Sequence, residues 1–556
     1  MNRRDAETQR FRERSIKFYR LFTSSPFLLF ALCLCVSAVN FSCTTKPSDL
    51  RTLVPAETLI YLETNDLAAA LQPIVDSKPF REVAKSKPDF SALKGVQVAV
   101  AVTGFETSEI AVTDEQAVGK VQPRFVAVAD THAWNYQAVA FAEKKLGSFV
   151  TEIYDAEPKL EKSDKHGGKY FTWTSQDGRK AFALVIDSLI YFGNDETAID
   201  KALAVRNGQA ESIAKTGKLP PHVPGNTASG YVSTDGVAQI AALAGLHFAS
   251  QASDEEEVQS AVAGILPQLI RGTVTDITWS TSQTSEGIED KWSVRMPDDI
   301  SRVFNESVVS DPSSEKQRQV ADGILSRIPA DVESATRYNL KSPQVAWRSV
   351  LLVSQSRLDA IGANVVGIMG NGLFEPYGIE DPELFLSSLG GRDERSSNIV
   401  TVRMDVDSDE SVMLSMSGNH GLTQKSFVKD MKTPRYGEDG YSWWSTSDGD
   451  TEIDFERGPI TLGPAEEVKK IRLRRGSRVP DTLRRMAESD APIVTIGRDH
   501  GSILPLISFL AREGHGDTKV VSTYLTETRF TKTGMERRTV SDFGFIGWMI
   551  AQLAAE

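Results

Sequence analysis

The chain has 556 residues, of which 40% are hydrophobic and 25% charged, and its formal net charge is −13 at pH 7. Single hydrophobic cores stop growing near roughly 300 residues, so the length excludes a single core and the composition excludes a disordered chain. The acidic balance repels phosphate backbones, which argues against nucleic acid as a partner.

An apolar segment, Leu21–Phe41, contains no charged residue and follows a basic stretch that ends at Arg20. Residues 1–42 hold seven basic and three acidic side chains, a net charge of +4 in an otherwise acidic chain. Positive charge ahead of an apolar segment stays on the cytoplasmic side, so the residues after it are expected to be translocated. We therefore expect residues 1–44 to be a signal peptide or membrane anchor. The remainder is expected to be attached to the extracytoplasmic face of the membrane, in the cell envelope or periplasm.

Three fates of this leader are compatible with the residues. Val36-Ser37-Ala38 offers small residues for signal-peptide cleavage. Ser42-Cys43 resembles the end of a bacterial lipobox, in which the cysteine is lipidated, although Asn40 and Phe41 depart from the usual residues there. Leu21–Phe41 is also long enough to stay in the membrane as an anchor. Cys43 is the predicted lipidation site.

All the cysteines, Cys33, Cys35 and Cys43, lie in or just after the apolar segment. The rest of the chain therefore has no structural disulfide, no thiolate nucleophile and no cysteine-based zinc site.

Four short segments recur in the same order in the second half of the chain, which predicts an internal duplication. The pairs are Leu53-Val54-Pro55-Ala56-Glu57 with Arg327-Ile328-Pro329-Ala330-Asp331, Tyr170–Gly178 with Tyr441–Gly449, Gly193–Glu196 with Gly463–Glu466, and Ser285–Glu289 with Lys532–Glu536. We expect a first unit at 50–297, a linker at 298–325 and a second unit at 326–556. Polar segments around Asp298 and Ser310–Glu315 predict breaks within that linker.

Buried strands followed by an aspartate and a helix are the recurring local pattern. Phe125–Ala129 is a continuous apolar run, typical of a strand buried on both faces. Asp66, Asp130, Asp235 and Asp499 follow such strands, and we interpret them as helix caps rather than catalytic acids.

Asp177-Gly178 and Asp448-Gly449 predict hairpins, because a tight turn needs a residue with positive φ. Trp173 and Trp444 precede these turns and are interpreted as cross-strand packing residues. The sequence thus predicts an α+β fold of two tandem homologous units, each a mixed or mainly antiparallel sheet packed with helices.

The Val54-Pro55-Ala56-Glu57 opening, the strand–aspartate–helix steps and the Gly193-Asn194 turn before a helix resemble one family. It comprises uncharacterised exported bacterial proteins, often lipoproteins, that carry a domain of unknown function with a Val-Pro-Ala opening. The resemblance implies an envelope location and supplies no catalytic residues.

Common catalytic motifs are missing from the sequence, so no cofactor is expected. There is no nucleophile elbow, P-loop or His-Glu-x-x-His, which leaves a catalytic metal unsupported. Gly367–Gly372 is interpreted as the end of a helix that begins near Gln344, and Asp405–Asp409 as an acidic turn rather than a calcium loop. The alternating acids from Asp448 to Glu456 predict a solvated strand face, and Arg498–Ser502 a helix-capping loop rather than a triad.

One basic cluster stands out in the acidic chain. Its candidate ligand residues are Lys469, Lys470, Arg472, Arg474, Arg475 and Arg478, followed by Arg484 and Arg485. Such a patch can bind anionic lipid headgroups or an acidic envelope partner, or it can be a solvated helix face.

These features predict a non-enzymatic envelope protein that acts as a binding or scaffolding module, with its ligand or partner protein unknown. Two alternatives remain open: a carrier of an apolar envelope component, and a hydrolase whose site is assembled from distant residues.

Overall fold

Twenty strands form one sheet in the computed structural model, and every described pairing is antiparallel. The structure describes residues 49–113, 116–154, 156–252, 256–309, 321–389, 397–405, 411–415, 420–427, 431, 434–436, 442–446, 450–454, 460–474, 478–499, 503–511 and 522–554. The strands are β1 Ile60–Thr64, β2 Gln97–Thr113, β3 Gln116–Asp130, β4 Lys159–Lys165, β5 Gly168–Thr174, β6 Lys180–Ile186, β7 Leu189–Gly193, β8 Asn226–Ser233, β9 Asp276–Thr284, β10 Gly287–Arg295, β11 Ser334–Leu340, β12 Ser397–Arg403, β13 Val412–Ser415, β14 Arg435–Tyr436, β15 Ser442–Ser445, β16 Thr451–Asp454, β17 Ile460–Pro464, β18 Ile493–Asp499, β19 Ser522–Thr531 and β20 Gly534–Ser541.

Helices cover both faces of this sheet, which makes the protein α+β, as predicted. The α-helices are α1 Leu67–Asp76, α2 Lys78–Val83, α3 Asn135–Phe141, α4 Gly147–Tyr154, α5 Glu196–Arg206, α6 Thr234–Ala252, α7 Glu256–Thr273, α8 Asp298–Ser307, α9 Pro343–Ser356, α10 Ala360–Gly372, α11 Pro382–Ser388, α12 His420–Lys425, α13 Ala465–Leu473, α14 Asp481–Glu488, α15 Ile503–Ala511 and α16 Gly544–Ala554. Within the described residues, no helix is both long enough and apolar enough to cross a membrane.

The order of the strands repeats on either side of the centre of the sheet. Across the sheet the strands run β4-β5-β6-β7-β3-β2-β1-β8-β9-β10 and then β20-β19-β18-β11-β12-β13-β17-β16-β15-β14. Read outward from the central β10–β20 pair, both sides meet their strands in the same relative chain order. In that central pair Lys291 lies opposite Arg538.

The prediction that Phe125–Ala129 is buried on both faces is confirmed, since each of these residues is fully buried. Phe125, Ala127 and Ala129 belong to the core under α1–α4, while Val126 and Val128 belong to the core under α5. The strand lies in the interior of the sheet, between β2 and β7. Continuous rather than alternating apolar character follows from this two-sided packing.

Two helices cross the centre of the sheet in opposite directions. Helix α8 follows β10 but packs against β19 and β20, where Phe304 stacks on Phe530 with ring centroids 5.3 Å apart. Helix α16 follows β20 but packs against β10 and α1, and Ile550 joins the first core. The two sides of the sheet therefore share their helices, and neither side keeps its complete core without the other.

Asp290 on β10 holds the start of α16. Its carboxylate accepts hydrogen bonds from the Phe545 backbone N–H at 2.7 Å and from Trp279 Nε1 at 2.9 Å. Burial raises the pKa of Asp290 to about 6, although both hydrogen bonds oppose the shift. The carboxyl group is therefore easier to protonate in the folded chain than in the unfolded chain.

We expect the Asp290→Asn variant to lose part of the dependence of stability on pH. A raised folded-state pKa means that the stability from Asp290 is fully present below its ordinary pKa and is lost as the pH rises through about 6. Between pH 4.5 and 7.5 the free energy of unfolding should fall by about 2 kcal/mol more in the wild type than in the variant. Urea unfolding at several pH values measures the difference, and parallel curves for the two proteins would contradict the prediction.

The predicted helix caps are right at Asp66 and wrong at Asp130 and Asp235, while the Asp499 side chain lies outside the described part of the chain. Asp66 caps α1, since its carboxylate accepts from the Ala69 N–H at 3.1 Å. Asp130 instead accepts from the His132 N–H in a turn before α3, and Ser233, not Asp235, caps α6 through the Gly236 N–H. Aspartate and serine both bond nearby N–H groups, so the residue type alone does not fix which residue caps.

Two helix boundaries also differ from the predictions. The glycines of Gly367–Gly372 do end a helix, but it begins at Ala360, because α9 stops at Ser356. Residues 298–307 form α8 rather than a polar break, because Ile300 is fully buried. Residues 310–320 of the predicted linker lie outside the described residues.

Both predicted hairpins form. Strands β5 and β6 are joined through Gly178, which has a φ of +86°, and the Ser175 N–H bonds the Arg179 carbonyl at 2.9 Å. Strands β15 and β16 pair around residues 447–449, which lie outside the described residues. Trp173 and Trp444 are 1% and 5% exposed, so both serve packing, as predicted.

Candidate functional site

A cavity of about 220 Å³ lies beside the central strands, under α14. Its apolar floor is formed by Val332, Leu483, Ile496, Leu525 and Val540. These side chains come from the sheet, from the segment before β11 and from the buried face of α14, whose Leu483 and Met486 join the core below. Ligand pockets run from roughly 300 Å³ upward for drug-sized molecules, so this cavity suits something smaller.

Charged groups line the rim of the cavity, and most of them are already paired. Arg485 on α14 lies 2.5 Å from Glu286, which comes from the turn between β9 and β10. Asp481 is paired with Arg484. The Arg485–Glu286 contact joins the two sides of the sheet across the cavity.

Arg498 and Asp542 also line the cavity, and neither has an ion-pair partner within the part of the chain that the structure describes. Arg498 Nη2 donates to the Ala330 carbonyl at 2.7 Å, and the Asp542 carboxylate accepts from the Thr523 N–H at 2.9 Å. Arg498 lies opposite Thr523 in the register, and Asp542 follows β20 directly. Adjacent strands are about 4.8 Å apart, so about 10 Å of sheet separates the two backbones.

On the other side of the sheet, the corresponding strands β8, β9 and β10 carry different residues at these positions. Ser233 on β8 lies opposite Asp276 on β9, which lies opposite Arg295 on β10. Arg295 Nε donates to Asp276 at 3.0 Å, so these two charges neutralise each other directly. The unpaired arrangement is therefore specific to the β18–β19–β20 side.

The predicted basic patch is only partly assembled on the surface. Lys469, Lys470 and Arg478 are exposed, whereas Arg472 is 11% exposed and lies 3.6 Å from Glu452 and 4.9 Å from the centroid of the Trp443 ring. Arg474 is half-buried, and Arg475 lies outside the described residues. Arg484 and Arg485 pair with the rim of the cavity instead.

The predicted solvated acidic strand face is wrong for the two acids within β16, Glu452 and Asp454, whereas Asp450 just before the strand is exposed. Asp454 is 3% exposed, and the Glu452 side chain is 15% exposed beside Arg472. Burial raises the pKa of Glu452, and the charge of Arg472 opposes that shift. This strand is covered by α13, so its charges point inward.

Several predicted residues fall outside the described residues: Cys43, His500 to Ser502 and residues 406–410 of the acidic turn. Among the residues that the structure does describe, no group of three or more His, Cys, Asp or Glu side chains is placed to hold a metal ion. The cavity residues Thr523 and Asp542 were missed at the sequence level.

Comparison with protein-family models, with curated proteins and with solved structures found no match to this chain.

Proposed function

We propose that the chain is a membrane-attached, extracytoplasmic binding module in which two copies of one α+β unit form a shared sheet. The binding role rests on one observation: Arg498 and Asp542, which have no ion-pair partner among the described residues, line a cavity with an apolar floor beside the central strands. Unpaired charges in a small concave site favour a ligand over a purely structural role. The envelope location rests on the basic residues before Leu21–Phe41.

The duplication is supported by where the four recurring sequence segments lie. Val54 and Ile328 are both fully buried just before β1 and β11. The other segments fall on β5 and β15, on β7 and β17, and on the turns that precede β10 and β20. These are corresponding strands in the repeated order of the sheet.

The two alternatives find less support. An apolar cavity between α1 and α16 has a volume of about 70 Å³. Engineered cavities that take up benzene measure roughly 150 Å³, so this space does not suit a lipid-sized cargo. A hydrolase needs a nucleophile next to a base, and His500 and Ser502, the nearest sequence candidates, lie outside the described residues.

Location and processing are tested together in a bacterial host that produces the full chain. A reporter fused after Glu556 should be active only if it is exported. The mature membrane-bound protein should begin at Cys43 with a diacylglyceryl mass increment if it is lipidated. Intact chain, with residues 1–44 still attached and soluble in the cytoplasmic fraction, would refute the proposed location.

A further inference from the structure

Arg498, Thr523 and Asp542 lie side by side on β18, on β19 and just after β20, and we call them the second row. The cation and the anion of this row line one cavity but form no ion pair with each other. Thr523 stands between Arg498 and Asp542 and has no charge of its own. The opposite row has Asp276 in the place of Thr523, so Arg295 finds its counter-charge on the neighbouring strand. With the uncharged Thr523 between them, Arg498 and Asp542 have no ion-pair partner in the part of the chain that the structure describes.

The remaining surface of the cavity limits what these charges can bind. Arg485 and Asp481 are already held by Glu286 and Arg484. The rest of the lining includes a cluster of aliphatic side chains such as Leu483, Ile496 and Val540, together with Tyr524 and the hydroxyl groups of Thr482 and Ser541. The ligand therefore needs one anionic end, one cationic end and an apolar group between them, within a small volume.

We infer that the cavity binds a small zwitterion with an apolar side chain, an apolar amino acid or a short peptide of such residues. The ligand carboxylate lies on the Arg498 guanidinium, which is suited to bidentate bonding of a carboxylate. Its ammonium lies on Asp542, and its side chain contacts Leu483 and Ile496. This inference rests on the proposed binding function and names the ligand class.

The test compares L-leucine with two analogues that each lack one charge: 4-methylpentanoate and 3-methylbutylamine. Titration calorimetry of the full chain in nanodiscs should show leucine binding at least about tenfold more tightly than either analogue, because each charge-assisted hydrogen bond contributes about a factor of ten or more. Arg498→Gln should lower the affinity for leucine to that of 3-methylbutylamine for the wild type. Asp542→Asn should lower it to that of 4-methylpentanoate.

Two further variants control for general damage to the protein. Arg529→Gln alters an arginine of β19 that is paired with Asp490 and does not line the cavity, so it should leave the preference for leucine unchanged. The triple variant Arg498→Ser, Thr523→Asp and Asp542→Arg copies the self-neutralised row of β8–β9–β10 and should abolish binding while the chain stays folded, as far-UV circular dichroism would show.

The outcomes separate the ligand class from the binding function. If leucine and 4-methylpentanoate bind equally well, or if the triple variant still binds leucine, the zwitterion assignment is overturned, while binding by the protein stands. If no probe gives heat, the assignment is likewise overturned, and so is the binding role proposed for this cavity, while the proposed location is tested separately by the reporter fusion and the mass of the mature N-terminus.

Discussion

Replacing Glu63 with alanine should lower the free energy of unfolding by about 3–5 kcal/mol, because it leaves a buried arginine without its counter-charge. Glu63 and Arg51 are 7% and 8% exposed, and Arg51 Nε donates to both carboxylate oxygens, at 2.9 and 3.0 Å. Tyr61 and Ser229 hydroxyls donate to the same carboxylate at 2.8 Å. Burial alone would raise the pKa of Glu63, but these donors and the charge of Arg51 hold it below its ordinary value.

Urea unfolding of the full chain at pH 7 measures this loss, and a matched surface pair provides the control. Arg124 and Glu106 lie 3.3 Å apart with side chains 49% and 57% exposed, so Glu106→Ala should cost less than about 1 kcal/mol. The double change Arg51→Met with Glu63→Leu should cost less than Glu63→Ala, because it leaves no unpaired charge. Equal effects of Glu63→Ala and Glu106→Ala would contradict the prediction.

Short sequence patterns predicted the local structure correctly where a single physical requirement, such as burial on both faces or a positive φ, allows one conformation. The unbroken apolar run Phe125–Ala129 permits only a strand packed on both faces, and it is one. Asp177-Gly178 requires a turn with positive φ, and Gly178 supplies it. The acidic alternation around Glu452 failed because charge spacing says which side chains share a face, not whether a helix such as α13 covers that face.

The exchange of α8 and α16 across the centre of the sheet is a long-range contact that no local pattern encodes. Periodicity can give a helix and its apolar face, but not which side of the sheet receives that face. The candidate site was missed for a similar reason, since Arg498 and Asp542 are 44 positions apart in the chain. A signal was nevertheless present: the spacing that relates Gly287 to Gly534 also relates Asp276 to Thr523 and Arg295 to Asp542. Comparing the two segments would have shown a charge replaced by threonine.

The central β10–β20 pairing depends on a glycine that begins β20. Gly534 has a φ of +149° and lies opposite Arg295 at the end of the pair. A Cβ added there would overlap the Val294 carbonyl oxygen, which is backbone and cannot rotate away. Gly534→Ala should therefore lower the free energy of unfolding by about 3 kcal/mol or more, from backbone strain together with overpacking.

Gly287, which begins β10, provides a matched test of the same cause on the other side of the pair. Its φ is +139°, and an added Cβ would lie 2.6 Å from the Ser541 carbonyl oxygen, so Gly287→Ala should be damaging as well. Gly323 has no atom within 4 Å of such a Cβ and lies in a helical segment, so Gly323→Ala should be neutral or slightly stabilising. Because α8 and α16 pack across this central pair, Gly534→Ala should loosen both sides of the sheet together, giving one unfolding transition at lower urea. Stability within about 0.5 kcal/mol of the wild type, or a transition in which only one side unfolds, would show that the β10–β20 pair does not hold the two sides together.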